Sequence, residues 1–344
     1  MKFGYCIGAL LAMCGLYAPP VHAQDLTCNA GDIAWVSSDI DANIGLGSGG
    51  GRCGSATVAG AEYNNFSTPW GVQAALDCAC SGLQIRVLGN TGNYGSGTSS
   101  WNNRFNLTKD IRTQVNGVEQ TPITVIGWAD STTSCEDSSE IPGCPVLMDF
   151  SGSGAGNHGW QVLNNDYEFR GIRVYGPNGI CWNHTAGNRN QFAGIEAVDC
   201  GNWGIVSSAL NNASLFSRVY VRGTGGAAAG TGGINITPNG GSQRVRVMFS
   251  TIQQVVGIGI RLGTETAQAV HNIVQFATGD CIQVGERGQL IMANTLRECG
   301  EDGIDTIASP GNFTRSPRVM FNLITDAGGW GINRLSQFSS GGFR

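Results

Sequence analysis

The feature that most constrains this chain is a phrase returning through residues 167–335: an apolar strand, a polar-glycine corner, then usually Gly-Ile opening another strand. The recurring isoleucines are Ile180, Ile205, Ile234, Ile260, Ile282, Ile304 and Ile332, spaced 25, 29, 26, 22, 22 and 28 residues apart. A recurrence of that length means stacked units, each unable to bury its own apolar face until a neighbour covers it. The later copies agree in detail. Ten residues before the isoleucine stand Ser250, Asn272, Asn294 and Asn322, and eight before it stand Ile252, Val274, Leu296 and Ile324. Asparagines at equivalent corners can hydrogen-bond one another and the backbone as a ladder.

Each period therefore reads as strand, turn, strand, turn, with no room for an amphipathic helix between strands. The L-x-x-L-x-L phrase of leucine-rich repeats is absent. The chain resembles the right-handed parallel β-helices of the pectate-lyase-like superfamily from Ser67 to its end. The expected fold is an all-β, single-stranded solenoid with a short N-terminal capping helix. Residues 67–77 supply that helix through hydroxyls at Ser67 and Thr68, Pro69 at its first turn, and apolar Trp70, Ala74 and Leu76. In the family a similar helix precedes the first strand, here at 83–88. Further strands are expected at 122–128, 146–150 and 167–174.

Before this domain, residues 1–23 have a basic start at Lys2, an apolar run and a Val21-His22-Ala23 cleavage pattern, which reads as a secretory signal peptide. The apolar run is shorter than the ~20 residues a spanning helix needs. Residues 24–66 lack periodicity and read as an extension lying over the first rungs, leaving 67–344 as the β-helix. An exported protein, extracellular or periplasmic, is the expectation. Without Lys2 the chain has 19 basic and 25 acidic residues, a formal charge of −6, which disfavours a nucleic-acid partner.

Ten cysteines follow the leader, and an even number in an exported chain points to disulfides. Cys135 and Cys144 flank a polar excursion, and Cys28 and Cys53 flank a glycine-rich stretch. Cys181/Cys200 and Cys281/Cys299 are separated by a little under one period, so each pair can meet in space or remain as reduced wall residues.

In a β-helix, residues one period apart lie one strand spacing apart, ~4.8 Å, so a site is read down the stack. One residue after the isoleucine, pointing outward by alternation, stand Asn235, Arg261, Gln283, Asp305 and Asn333. Two residues before it stand Trp203, Asp280, Asp302 and Trp330. Together they predict a polar strip with acids in the middle and indole faces beyond, suited to an extended polysaccharide. Asp280 and Asp302 share a register on adjacent rungs, with Glu301 and Asp305 nearby. Two such carboxylates either split their pKa values or hold a cation such as Ca²⁺, with Asp280, Asp302 and Glu301 as ligands. The same spacing admits a glycosidase pair. A lyase needs a base and a group neutralising a uronate carboxylate, roles open to Arg261, Arg287 or Arg297. Asp before Gly is also ordinary turn chemistry, which gives Asp302 a purely structural reading.

The polygalacturonase signatures Asn-Thr-Asp, Asp-Asp and Gly-His-Gly are absent, as is the Trp-x-Asp-His phrase of pectate lyases. No Gly-x-Ser-x-Gly, P-loop or His-Glu-x-x-His occurs either. The first functional expectation is a secreted polysaccharide lyase or glycoside hydrolase. Its working residues are Asp280, Asp302, Asp305 and Arg261, with Trp203, Trp330, Gln283, Asn333, Arg287 and Arg297 binding the chain. The alternative is a non-catalytic glycan-binding, adhesive or tailspike-like structural surface protein.

Overall fold

The structure is a computed structural model. It describes residues 82–89, 122–129 and, with interruptions at loop tips, 132–334, together with isolated strands at 33–36, 62–66, 105–107, 114–115 and 118–119. The expected capping helix, the leader, the Cys28/Cys53 pair and Arg287 lie outside the described residues.

Three parallel sheets of eleven, eight and nine strands run the length of the molecule, here called sheets 1, 2 and 3. The chain visits them in turn: Tyr167–Arg170 in sheet 1, Ile172–Tyr175 in sheet 2 and Trp182–His184 in sheet 3 begin one rung, and Gln191–Ala193 begins the next. Each strand pairs with the strand one rung away, which makes a parallel β-helix. Among the described residues no α-helix occurs, and no helix is long and apolar enough to cross a membrane.

The column of isoleucines exists. Ile205 pairs with Ile234, Ile234 with Ile260, Ile260 with Ile282, Ile282 with Ile304 and Ile304 with Ile332. Ile180 is not in it. Trp182 takes the place beneath Ile205, and Ile180 sits in the corner before the strand. The Gly179-Ile180 dipeptide imitates the repeat two residues early, while the true rung opens on Cys181-Trp182. Below Ile205 the column turns aromatic, with Trp160 and Trp182 stacked at 5.4 Å. A second inward column stacks Phe169 on Phe192 at 5.1 Å and Phe192 on Phe216 at 4.6 Å. All are fully buried, and each such side chain contributes on the order of 1.5–3 kcal/mol of transfer free energy.

Glycine before the isoleucine has a steric cause. A Cβ on Gly259 would stand 2.6 Å from the carbonyl oxygen of Cys281, and one on Gly303 2.5 Å from that of Gly331. At these two corners the backbones of adjacent rungs approach too closely for a side chain, whereas Cys181 and Cys281 hold the same place on their own rungs.

The asparagine ladder occupies the corner between sheets 1 and 2. Asn272 Oδ1 accepts from the Ser250 N–H at 3.0 Å, Asn294 Oδ1 from the Asn272 N–H at 2.9 Å, and Asn322 Oδ1 from the Asn294 N–H at 2.9 Å. Each Nδ2 donates to a carbonyl one strand back: Val247, Ala269 and Ile291. The ladder satisfies backbone groups at a corner that has no helix to do so.

Among the described residues three disulfides are formed: Cys135–Cys144, Cys181–Cys200 and Cys281–Cys299. The first closes the excursion. The other two staple the entry to sheet 3 on one rung to the exit from sheet 2 on the next, with Cα–Cα distances of 5.7 and 5.3 Å.

One boundary differs from expectation. Ile33–Val36 and Glu62–Phe66, read as parts of an extension, pair in parallel at the end of sheet 1, with Ile33–Val36 beside Gln84–Leu88. The solenoid wall therefore begins before residue 67.

Candidate functional site

The outward positions of sheet 3 form one column. In order these are Gln161, Asn183, Val206, Asn235, Arg261, Gln283, Asp305 and Asn333, each paired with the next. Asn183, Val206 and Asn235 are buried, whereas Arg261, Gln283, Asp305 and Asn333 are half-open to solvent. The accessible strip thus spans the last four rungs. At its inner end, Asn235 Oδ1 is a buried acceptor with no hydrogen-bond partner.

The acidic cluster lies where sheet 2 hands over to sheet 3. Asp280 Oδ1 accepts from the Asp302 N–H at 3.0 Å, and Asp302 Oδ1 from the Trp330 N–H at 2.6 Å. The second oxygens are held by amides of the strip. Gln283 Nε2 donates to Asp280 Oδ2 at 3.2 Å, and Asn333 Nδ2 to Asp302 Oδ2 at 2.7 Å. Asp280 and Asp302 are 4 % and 9 % exposed, and they form a second ladder, an acidic one, that caps each following rung. The Cys281–Cys299 bond lies directly alongside, joining the residue after Asp280 to a segment three residues before Asp302.

Asp305 breaks the pattern. It occupies on the rung of Asp302 the position that Gln283 occupies on the rung of Asp280. When ionised it cannot donate to its neighbour as the amide does. Its carboxyl is pushed up to about 6, by burial first and then by the charges of Asp280, Asp302 and Glu301. Asp280 is also raised, chiefly by burial and with a contribution from Asp302, against the lowering effect of its hydrogen bonds to Asp302 and Gln283. Asp305 is therefore the carboxyl of the strip placed to change charge near neutrality.

The other expected residues divide. Gln283 and Asn333 sit in the strip, and Arg261 stands two rungs from Asp305, about 10 Å along the stack. Glu301 is exposed beside Asp302 and acts on Asp305 through its charge. Trp330 is 72 % exposed at the end of the strip. Trp203 does not face it as a platform, because at 5 % exposure its indole belongs to the wall. Arg297 is corrected too: it ends the strand Thr295–Arg297 in sheet 2, exposed on a different face from Asp305.

Each oxygen of Asp280 and of Asp302 accepts from an N–H donor. Among the described residues no group of three or more His, Cys, Asp or Glu is placed to hold a metal ion.

A feature not visible as a motif lies on sheet 2. A cavity of about 540 Å³ opens over Arg173, Glu196, Tyr220 and Thr251, walled by Glu136 and Pro145 of the disulfide-closed excursion and by Phe249. Arg173, Glu196, Tyr220 and Thr251 occupy successive rungs of one outward column. A spacing of 23, 24 and 31 residues was the one sequence signal that could have joined them.

No protein-family model matches the sequence, and no curated protein matches it. Three solved structures resemble the fold. The pectate lyase Pel9A matches at 14 % identity and a TM-score of 0.46, over 86 % of this chain and 63 % of its own. An alginate lyase from Paenibacillus sp. str. FPU-7 matches at 15 % and 0.39, over 77 % of this chain and 97 % of its own. A rhamnogalacturonan lyase matches at 12 % and 0.31, over 89 % and 66 %. The present chain spans less than two thirds of the length of the first of these. The winding of the present chain is that of a parallel β-helix.

Proposed function

We propose that this protein is a secreted polysaccharide lyase that binds a uronate-containing chain along the outward strip of sheet 3. The observation carrying this reading is the state of Asp305, half-buried, raised to about 6 and set between two amides in an outward-facing column. A hydrolase needs two working carboxyls. Here Asp280 and Asp302 are each held by two N–H donors as rung caps, which leaves Asp305 as the one carboxyl of the outward column. Elimination needs one base and one cation.

In that reaction the Asp305 carboxylate takes the C5 proton of a uronate. The electron pair passes toward the adjacent carboxylate, which the guanidinium of Arg261 neutralises. The C4–O bond then breaks with its pair on the departing oxygen, which takes a proton from solvent, and a C4=C5 double bond remains. Asp305 returns its proton to solvent. Gln283, between these groups, and Asn333, one rung beyond Asp305, hydrogen-bond sugar hydroxyls, and Trp330 stacks on a ring at the end of the strip. Three disulfides in the described chain support export to an oxidising compartment.

A second reading, a glycan-binding surface protein without turnover, is favoured by one observation: the acids at 280 and 302 serve as structural caps. A panel of polygalacturonate, alginate and glucuronan separates the two. Products absorbing at 235 nm support elimination, reducing ends without that absorbance indicate hydrolysis, and retained binding with no product of either kind supports the second reading.

A further inference from the structure

The cavity on sheet 2 has no part in the strip just described, since it lies on another sheet and at the opposite edge, where sheet 1 turns into sheet 2. Its floor is an ion pair, Arg173 Nε to Glu196 Oε2 at 2.5 Å, with Glu196 only 7 % exposed. One wall is Glu136, which pairs at 3.6 Å with Arg170. The lining therefore balances two arginines, Arg173 and Arg218, against two glutamates. A charge-balanced, partly aromatic hollow of this kind favours a neutral ligand over an acidic one.

Two groups point to the class of that ligand. Tyr220 accepts a hydrogen bond from Gln253 Nε2, and Gln253 in turn accepts from Gln275 at 2.8 Å, so the relay leaves the phenolic proton to be donated into the hollow. Phe249 is 57 % exposed and holds φ at +52°. The equivalent corner is glycine at Gly171 and Gly194 and carries a side chain in the same left-handed region at Arg218, His271, Ala293 and Phe321. More than half exposed, the Phe249 ring forms part of the lining of the hollow. It stacks on His271 with ring centroids 5.2 Å apart, which fixes its orientation.

An aromatic face beside a hydroxyl donor and an ion-paired floor matches the apolar face and hydroxyl rim of a pyranose, and about 540 Å³ holds one or two such rings. We infer that this hollow is a second saccharide site, binding a neutral sugar without acting on it, while the strip on sheet 3 handles the charged polymer.

His271 reports on the site directly, because the chain has only four histidines. Imidazole NMR of the full chain, titrated with cellohexaose, xylohexaose and mannohexaose, is expected to show saturable His271 shifts with at least one of them and none with trigalacturonate. By calorimetry, Phe249→Ala should bind that hexaose at least tenfold more weakly and Tyr220→Phe threefold or more, both with unchanged melting temperature. Both variants should cleave uronate polymer as the native protein does. The inference is overturned if none of the neutral hexaoses moves His271, if only trigalacturonate does, or if Phe249→Ala binds normally. If uronate cleavage is absent while neutral binding is lost in Phe249→Ala, the lyase reading fails and this one stands.

Discussion

The backbone N–H of Asp302 donates to Oδ1 of Asp280 one rung below, at 3.0 Å, and the N–H of Trp330 donates in the same way to Oδ1 of Asp302, at 2.6 Å. Two carboxylates that could be taken for a catalytic pair are in this way rungs of a ladder. Their charge nevertheless sets the state of Asp305 beside them.

Removing one rung of this ladder leaves two part-buried donors without their acceptor. Asp302→Ala strips Trp330 N–H and Asn333 Nδ2 of their acceptor, with an expected loss of about 1–3 kcal/mol in chemical denaturation. Asp302→Asn keeps an acceptor oxygen and removes the charge. It should cost less and lower the apparent pKa of Asp305, read as the acid limb of the pH–rate profile or by carboxyl NMR.

Asp305 makes stability depend on pH with a particular sign. Its folded value of about 6 lies above the ordinary carboxyl value of 3.8, so between about pH 4 and 6 the native state holds more proton than the unfolded chain. Stability from this group is present below about pH 4 and is lost as pH rises through 6. Asp305→Asn should flatten that slope and stabilise the protein at pH 8 by about 1–2 kcal/mol, after discounting for its half-open position. Melting curves at pH 4, 6 and 8 check it.

The asparagine ladder, at the corner between sheets 1 and 2, offers a test of the fold itself. Asn294→Ala deletes the acceptor for both the N–H and Nδ2 of Asn272, and the donor to Ala269. Since these groups are buried, a loss of about 2–4 kcal/mol is expected. A loss under about 0.5 kcal/mol would mean that the corner is satisfied by other means.

Much of this was legible because a solenoid writes its contacts at a fixed period. Asn272, Asn294 and Asn322 could be read as a ladder, and Asn235, Arg261, Gln283, Asp305 and Asn333 as a column, from spacing alone. Spacing does not tell which face a neighbouring loop shields. Trp203 and Trp330 share a register, yet one is in the wall and the other in solvent. Nor does spacing separate two strands of one rung, which put Arg297 on sheet 2 and Asp305 on sheet 3. Ile180 misled because Gly179 before it copies the steric signature of the true corner. The hollow around Phe249 was invisible because one of its walls is an excursion outside the repeat.

The Cys281–Cys299 staple secures the corner that carries the acids. Its replacement by alanines opens a loop of 18 residues, worth about 3 kcal/mol by chain entropy. Loosening should also relax Asp305 toward the ordinary carboxyl range, so the acid limb of activity moves down along with the melting temperature. A fall in melting temperature with an unmoved limb would separate the staple from the site.

The most direct test of the account is the rate at which Asp305→Asn forms 235 nm product from a uronate polymer that the native protein cleaves, measured at pH 8. Proton transfer by a placed side chain is commonly worth about 10²–10⁴-fold, so the variant should lose at least a hundredfold while melting no lower than the native protein. A variant that cleaves at the native rate would contradict the assignment of Asp305 and the chemistry built on it.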